Sequence, residues 1–202
     1  MPPPGTDGRR HTHGVDTGFL VFDERTYPHL LRLLAELGVE TSRSDMSFSV
    51  QAEQGALEWS GCNLDTVFAQ RSNLFSPRFL GMLRELMRFN KRTTELARTG
   101  SEAQLAQSIG DFLDTEGYSD TFRRWYFLPM IGCIWSCPTA QMLQFPIATM
   151  IRFCHNHGLL QVSDRPQWYT VTGGARNYVE KMRPRLRDVR LNTGDENSEI
   201  RV

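Results

Sequence analysis

Hydrophobic and polar positions in the N-terminal part of the chain follow two periods, each typical of one kind of element. β-Branched and aromatic residues over 15–22 predict a buried strand. A leucine stripe at helical spacing predicts a helix that Thr26 caps and Gly38 ends. Alternation over 46–60, with a turn at 54–55, predicts a β-hairpin. The stripe consists of Leu30, Leu33, Leu34 and Leu37.

The pattern then becomes helical over residues 76–158. A long helix is predicted over 76–100, and residues 101–104 form a capping box that opens the next helix. Asp120 is predicted to cap a further helix, which Pro129 should break or kink. The positions expected to face the core are Phe79, Leu80, Leu83, Leu86, Met87 and Asn90, then Leu105, Ile109, Phe112 and Leu113, and finally Ile147, Met150, Ile151 and Cys154 in a helix between Pro146 and Gly158.

Strand signals return near the C-terminus. Residues 168–171 predict a strand, 173–174 a turn, 175–182 a helix and 189–191 a last short strand. Because the helices cluster between pieces of sheet and do not alternate regularly with strands, the pattern predicts an α+β fold. Short mixed or antiparallel sheet elements from both ends of the chain would flank a central helical block.

The same order predicts how the chain is divided. Residues 1–10 are rich in Pro, Gly and Arg and are expected to be disordered. Residues 11–192 are expected to form one α+β unit that contains the helical block. Residues 193–202 are polar and are expected to form a tail.

Composition narrows the class of protein. Lys plus Arg and Asp plus Glu each number 23, so the formal net charge is zero and no nucleic-acid partner is expected. No apolar run approaches the ~20 residues of a membrane span, and residues 1–5 contain no signal-peptide core. We therefore expect no transmembrane segment and a cytoplasmic protein. Reduced, structural thiols are expected at Cys62, Cys133, Cys137 and Cys154.

Direct signals for catalysis are few. The histidine pairs at 11–13 and 155–157 have no carboxylate cluster beside them, and the second pair ends a helix, so we predict no metal site. The sequence contains no P-loop, serine elbow or G-x-G-x-x-G fingerprint. Gly173-Gly174 allows two interpretations, a strand-to-helix turn with positive φ or a helix N-terminus kept bare for a ligand. Aromatic residues over 122–135 are expected in the core and not in a ligand cage.

Six strings, in order along the chain, resemble one family. They are Gly14–Phe22, Arg25–Pro28, Ser44–Val50, Leu57–Gly61, Phe153–Leu160 and Arg165–Gly174. Through them the chain, over about residues 8–192, resembles the bacterial predicted NAD/FAD-binding proteins within the flavin-containing amine oxidoreductase superfamily. The resemblance implies the substrate domain of a FAD-dependent oxidoreductase, in which the flavin accepts a hydride from the substrate.

The resemblance also implies candidate cofactor residues. Asp16, Thr17 and Gly18 resemble the family's D-x-G run, whose backbone passes close to the flavin ring. Gly173 and Gly174 resemble the Gly-Gly turn at which the chain re-enters the cofactor domain. These five residues are the candidate FAD contacts. No acid, base or nucleophile is implied.

Three aromatic residues are candidates for the walls of a substrate pocket. They are Trp59, Trp168 and Tyr169, for which plain core packing is the alternative. The substrate expected from the resemblance is a small or lipid-like molecule.

The family's dinucleotide-binding turn and its C-terminal flavin segment have no counterpart in this sequence. We therefore expect the middle portion of such an enzyme, incomplete on its own and weak in FAD binding. Apolar strand edges near 15–22 and 168–171 are expected to cause self-association. The alternative is a non-catalytic binding or interaction module, or a degenerate fragment, so enzymatic activity of the isolated chain stays open.

Overall fold

Two compact units make up the fold. The computed structural model describes residues 16, 21–135, 138–161 and 165–187. The terminal unit comprises Met1–Ser44 and Gln167–Val202, and the central unit comprises Asp45–Pro166. Small antiparallel sheets of two and three strands accompany a block of helices, so the predicted α+β class is confirmed.

The described elements follow the chain in this order. The strands are β1 (Phe22–Asp23), β2 (Thr41–Ser44), β3 (Ser49–Ala52), β4 (Leu57–Ser60) and β5 (Trp168–Val171). The helices are α1 (Pro28–Glu36), α2 (Leu64–Val67), α3 (Pro77–Thr99), α4 (Glu102–Ala106), α5 (Ile109–Thr115), α6 (Asp120–Phe122), α7 (Leu128–Trp135), α8 (Thr139–Met142), α9 (Ile147–Asn156) and α10 (Arg176–Met182). A π turn over Arg123–Phe127 joins α6 to α7. The strand predicted over 189–191 lies outside the described residues.

In the terminal unit, β5 lies between β1 and β2 and pairs antiparallel with both. Trp168 and Val171 on β5 are only 5% and 6% exposed. The prediction of an unpaired apolar edge at 168–171 is therefore wrong, because β5 pairs with a strand on each side. The sequence did not predict β2, since Thr41–Ser44 is a polar segment without apolar alternation.

Helix α1 confirms the leucine stripe. Leu34 and Leu37 are buried, and Gly38 ends the helix with φ +60°. The cap predicted at Thr26 is wrong, because the helix begins after Tyr27. The N–H and the hydroxyl of Thr26 both donate to the carboxylate of Asp23.

In the central unit, β3 and β4 form the predicted hairpin. Val50 lies opposite Trp59, and the turn contains Gln54 and Gly55 with φ of +56° and +90°. The inward residues Val50, Leu57 and Trp59 are buried, and Ala52 is half-buried. The hairpin prediction is confirmed because alternation and turn chemistry indicate the same register.

The long helix α3 begins as predicted, with the Ser76 hydroxyl accepting from the N–H of Phe79. Its inward face differs from the prediction, since Leu80 and Met87 are 43% and 54% exposed. These two residues lie seven apart on the flank of the helix, outside the inward stripe. The buried positions of α3 are Phe79, Met82, Phe89, Asn90, Thr93 and Leu96.

The next predicted helix is two helices. The capping box between Ser101 and Gln104 is confirmed, but α4 ends at Ala106 and α5 starts anew with Ser108 as its cap. Further along, Ser119 caps α6 where Asp120 was predicted. Asp120 instead lies in the first turn, where a negative charge favours the helix dipole. The apolar stripe predicted for α9 is confirmed, with all four side chains fully buried.

The helical path runs through Pro129, which lies in α7. Proline lacks the N–H that would bind the carbonyl four residues earlier, that of Trp125. The indole N–H of Trp59 donates to that carbonyl at 3.2 Å. A side chain of the hairpin thus replaces a missing backbone donor, and the helix widens into the π turn here and does not break.

We expect Trp59→Phe to lower the free energy of unfolding by about 1–2 kcal/mol, because it leaves a buried carbonyl without the indole donor. Pro129→Ala restores an N–H near the same carbonyl. The cost of Trp59→Phe should therefore be smaller in the Pro129→Ala background. Urea unfolding followed by circular dichroism measures all four proteins, and equal costs in the two backgrounds would show that the two donors are not coupled.

Candidate functional site

Asp16 and the Gly173-Gly174 turn meet in the terminal unit. The N–H of Ala175 donates to Oδ2 of Asp16 at 2.9 Å, across 159 positions of sequence. A Cβ built on Gly174 would lie 3.1 Å from the same oxygen. The structure therefore brings together three of the residues that the resemblance assigned to the cofactor side.

Both glycines adopt backbone conformations that other residues rarely reach. Their φ angles are +76° for Gly173 and +95° for Gly174, and Thr172 separates them from the end of β5. The N–H of Gly174 donates to the carbonyl of Val171 at 3.0 Å, which closes a tight turn. The interpretation of this pair as a strand-to-helix turn agrees with this geometry.

Side chains of the chain itself occupy the room that the glycines leave. A Cβ on Gly173 would lie 2.7 Å from Nδ2 of Asn177, which donates to the carbonyl of Thr172. The carboxylate of Asp16 fills the corresponding space over Gly174. The charged group at this corner is the carboxylate of Asp16, which accepts hydrogen bonds from N–H or O–H groups and does not attract phosphate.

The remaining candidate residues do not join this corner. Thr17 and Gly18 lie outside the described residues. Tyr169 packs with the terminal unit's core and stacks on Phe22 at a centroid distance of 6.1 Å. Trp168 is its neighbour on β5, and successive strand residues point to opposite faces. These two proposed pocket walls therefore face opposite sides of the sheet.

Trp59 is a core residue of the central unit. It is 3% exposed, and its ring packs against Phe48, Phe79 and Tyr126. Its N–H donates to the carbonyl of Trp125, so both the ring and the N–H have partners within the central unit. The described aromatic residues of 122–135 include Phe122, Trp125, Tyr126 and Phe127, which are buried in the same core.

Asp23 is a buried carboxylate that the sequence reasoning missed. It is fully buried and accepts from the N–H groups of Arg25 and Thr26, each at 2.9 Å. Burial, followed by the charge of Asp23, raises the pKa of Tyr27. The signal was the short sequence of Asp followed by turn-forming polar residues, which is typical of an Asx turn.

The second histidine pair lies at the end of α9. His157 caps α9, with a ring nitrogen 3.0 Å from the carbonyl of Phe153, as predicted for a last-turn histidine. His11 and His13 lie outside the described residues.

Over the described ranges there is no group of three or more His, Cys, Asp or Glu side chains placed to hold a metal ion. In the same ranges, no helix has the length and apolar content needed to cross a bilayer.

The described cysteines differ in environment. Cys62 is exposed, and hydrogen bonds from the side chains of Ser47 and Ser60 lower the pKa of its thiol. Cys133 is exposed as well. Burial raises the pKa of Cys154 to about 12. Cys137 lies outside the described residues.

No protein-family model matches the chain, and no curated protein matches it with significant similarity.

We expect Gly174→Ala to destabilise the protein by more than the roughly 1 kcal/mol that an unfavourable φ costs by itself, because the new methyl also approaches Asp16. Gly38→Ala is the matched control, since Gly38 has a φ of +60° and nothing within 4 Å of its Cβ position. Thermal unfolding midpoints of the two variants measure the difference. In an Asp16→Ala background the excess cost of Gly174→Ala should disappear, and an unchanged excess would contradict the contact.

We expect iodoacetamide at neutral pH to alkylate Cys62 faster than Cys133, and Cys154 only after unfolding. The thiolate is the reactive form, and a lowered pKa increases its fraction at a given pH whereas a raised pKa decreases it. Cys133 controls for exposure. Peptide mass spectrometry after timed quenching gives the order, and alkylation of Cys154 in the folded protein at the rate of Cys62 would be the contrary result.

Proposed function

We propose that this chain forms the substrate-side part of a FAD-dependent oxidoreductase of the amine-oxidase type. The observation that carries the proposal is the contact between Asp16 and the turn at Gly173-Gly174. The resemblance assigns both segments to the cofactor side, although they lie far apart in sequence. Their contact supports that assignment, because segments that face one cofactor must be neighbours.

The division of the chain also supports the proposal. Both candidate cofactor segments belong to the terminal unit, and the hairpin and most of the helices belong to the central unit. This order, with a central segment between two segments of one unit, is the order expected for a substrate-binding portion that lies between two cofactor-side segments in sequence. The substrate class we propose is a small or lipid-like molecule.

The residues at the corner fit only part of FAD. The Asp16 carboxylate can accept a hydrogen bond from a ring N–H or a ribose hydroxyl, whereas it would repel a pyrophosphate. When bound, the flavin supplies the acceptor for a hydride from the substrate. The chain's own part is to position the turn beside Asp16. The grip on the pyrophosphate must come from residues other than those of this corner.

The second candidate is a non-catalytic binding module. It is favoured by one observation, that Asp16 and Asn177 already occupy the space over both glycines, so that no cofactor is needed to explain them. The two candidates differ in whether the protein binds flavin.

We expect the 202-residue chain alone to bind FAD with a dissociation constant above about 1 μM, because it contains no G-x-G-x-x-G turn to hold the pyrophosphate. Quenching of FAD fluorescence on titration measures this affinity. Sub-micromolar binding would contradict the expected weakness.

The proposed function itself is tested on the polypeptide as it is expressed from its own genomic locus. We expect this protein to carry flavin. We also expect Gly174→Ala to lower flavin occupancy by more than Gly38→Ala does, when each variant is measured at the same interval below its own thermal midpoint. A protein that purifies without flavin and binds none on addition would favour the non-catalytic module.

A further inference from the structure

A groove of about 400 Å³ lies in the central unit, between the outer flank of α3 and the segment that leads into α6. Its volume is within the range of small-molecule sites. Three arginines and one glutamate line it, which gives a net charge of +2 in a chain whose formal net charge is zero. The charged side chains are Arg78, Arg84, Glu85 and Arg88.

Two of the arginines rest on aromatic rings. The guanidinium of Arg78 lies 4.6 Å from the ring centre of Trp125, and that of Arg88 lies 4.2 Å from the ring centre of Tyr118. A guanidinium stacked on a ring has its face covered, but its N–H groups point outward in its own plane. Arg88 also donates one N–H to the carbonyl of Gly117 at 3.4 Å, which leaves its other N–H groups and those of Arg78 for a ligand.

The negative charge in the groove is already engaged. Glu85 accepts from the N–H of Ser119 at 3.1 Å and from its hydroxyl, so this carboxylate holds the opposite wall of the groove. Its approach to Arg88 is longer, at 3.8 Å. Burial raises the pKa of Tyr118 to about 12, so the ring beneath Arg88 carries no negative charge at neutral pH.

Arg84 has no hydrogen bond or ion pair with any described residue. It lies one helical turn, about 6 Å, from Arg88, so both can reach one anionic group. Arg78 lies ten residues from Arg88, about 15 Å along the helix axis. A ligand that meets all three must therefore carry more than one anionic group along its length.

The floor of the groove is open because it contains glycine. A Cβ built on Gly81 meets nothing within 4 Å, and the same holds for Gly117 in the opposite wall. Glycine inside a helix costs stability relative to other residues. At position 81 it leaves the space between the arginines free.

We propose that this groove is a binding site for a small molecule with two or more phosphate or carboxylate groups, which Arg84 and Arg88 bind together and Arg78 contacts further along. The site is separate from the corner at Asp16 and does not depend on the proposed flavin chemistry. Phosphate groups of this kind occur free in solution and in the headgroups of lipids.

Isothermal titration calorimetry with pyrophosphate and with citrate tests the site, at constant ionic strength with chloride as the reference anion. We expect one bound pyrophosphate or citrate per chain, and a loss of affinity of roughly fivefold or more in the Arg84→Gln, Arg88→Gln double variant. The Lys91→Gln, Arg98→Gln double variant is the matched control, because it removes two charges from exposed positions of the same helix outside the groove. Its affinity should equal that of the unchanged protein.

Gly81→Leu is the second variant, since it fills the groove and keeps every charge. We expect it to abolish binding while raising the thermal midpoint, because leucine is the better helix former. Cosedimentation with cardiolipin vesicles, whose headgroup carries two phosphates, separates the sources, as binding to vesicles without binding of free pyrophosphate or citrate would assign the site to a lipid headgroup. The proposal is overturned if pyrophosphate, citrate and the vesicles all fail to bind, if the control variant weakens binding as much as the groove double variant, or if Gly81→Leu leaves binding unchanged.

Discussion

The pairing of β5 with β2 is the constraint on which the rest of the chain depends. It places Ser44 opposite Trp168, and the side chain of Gln167 donates to the carbonyl of Ser44 at 3.0 Å. The chain therefore leaves the terminal unit and returns to it at neighbouring points. The central unit completes its core from one continuous segment, Asp45–Pro166, while the terminal unit needs strands from both ends of the chain to form its sheet. The contact of Asp16 with the Gly173-Gly174 turn is a further long-range link of the same unit.

The elements that could be predicted from the sequence are those in which packing and local chemistry agree. The leucine stripe of α1, the hairpin of β3 and β4, and the stripe of α9 each combine an apolar period with a turn or stop signal at the right place. The class of fold followed from their order. Where only one signal existed, the prediction shifted, as when Ser119 and not its neighbour Asp120 became the cap of α6.

The features that were missed depend on partners distant in sequence. Thr41–Ser44 forms a strand because its backbone pairs with that of β5. Its polar side chains contain no pattern that predicts a strand. Leu80 and Met87 are apolar but lie on the outer flank of α3. The arginine groove was hidden for another reason. Its arginines are spaced along α3, and acidic residues elsewhere bring the net charge of the chain to zero. The local excess of positive charge is therefore visible only in the structure, where one flank of α3 lies beside the wall at Ser119.

The bond from Trp59 to the carbonyl of Trp125 has a consequence for how the central unit folds. A helix normally satisfies its own backbone, but Pro129 removes a donor from this one, and a side chain of the hairpin takes its place. The bond joins two buried groups, an indole N–H and a backbone carbonyl, from which water is excluded, so breaking it costs free energy on both sides. Hairpin and helix should therefore form in one cooperative step, and local opening of the hairpin should loosen the π turn as well.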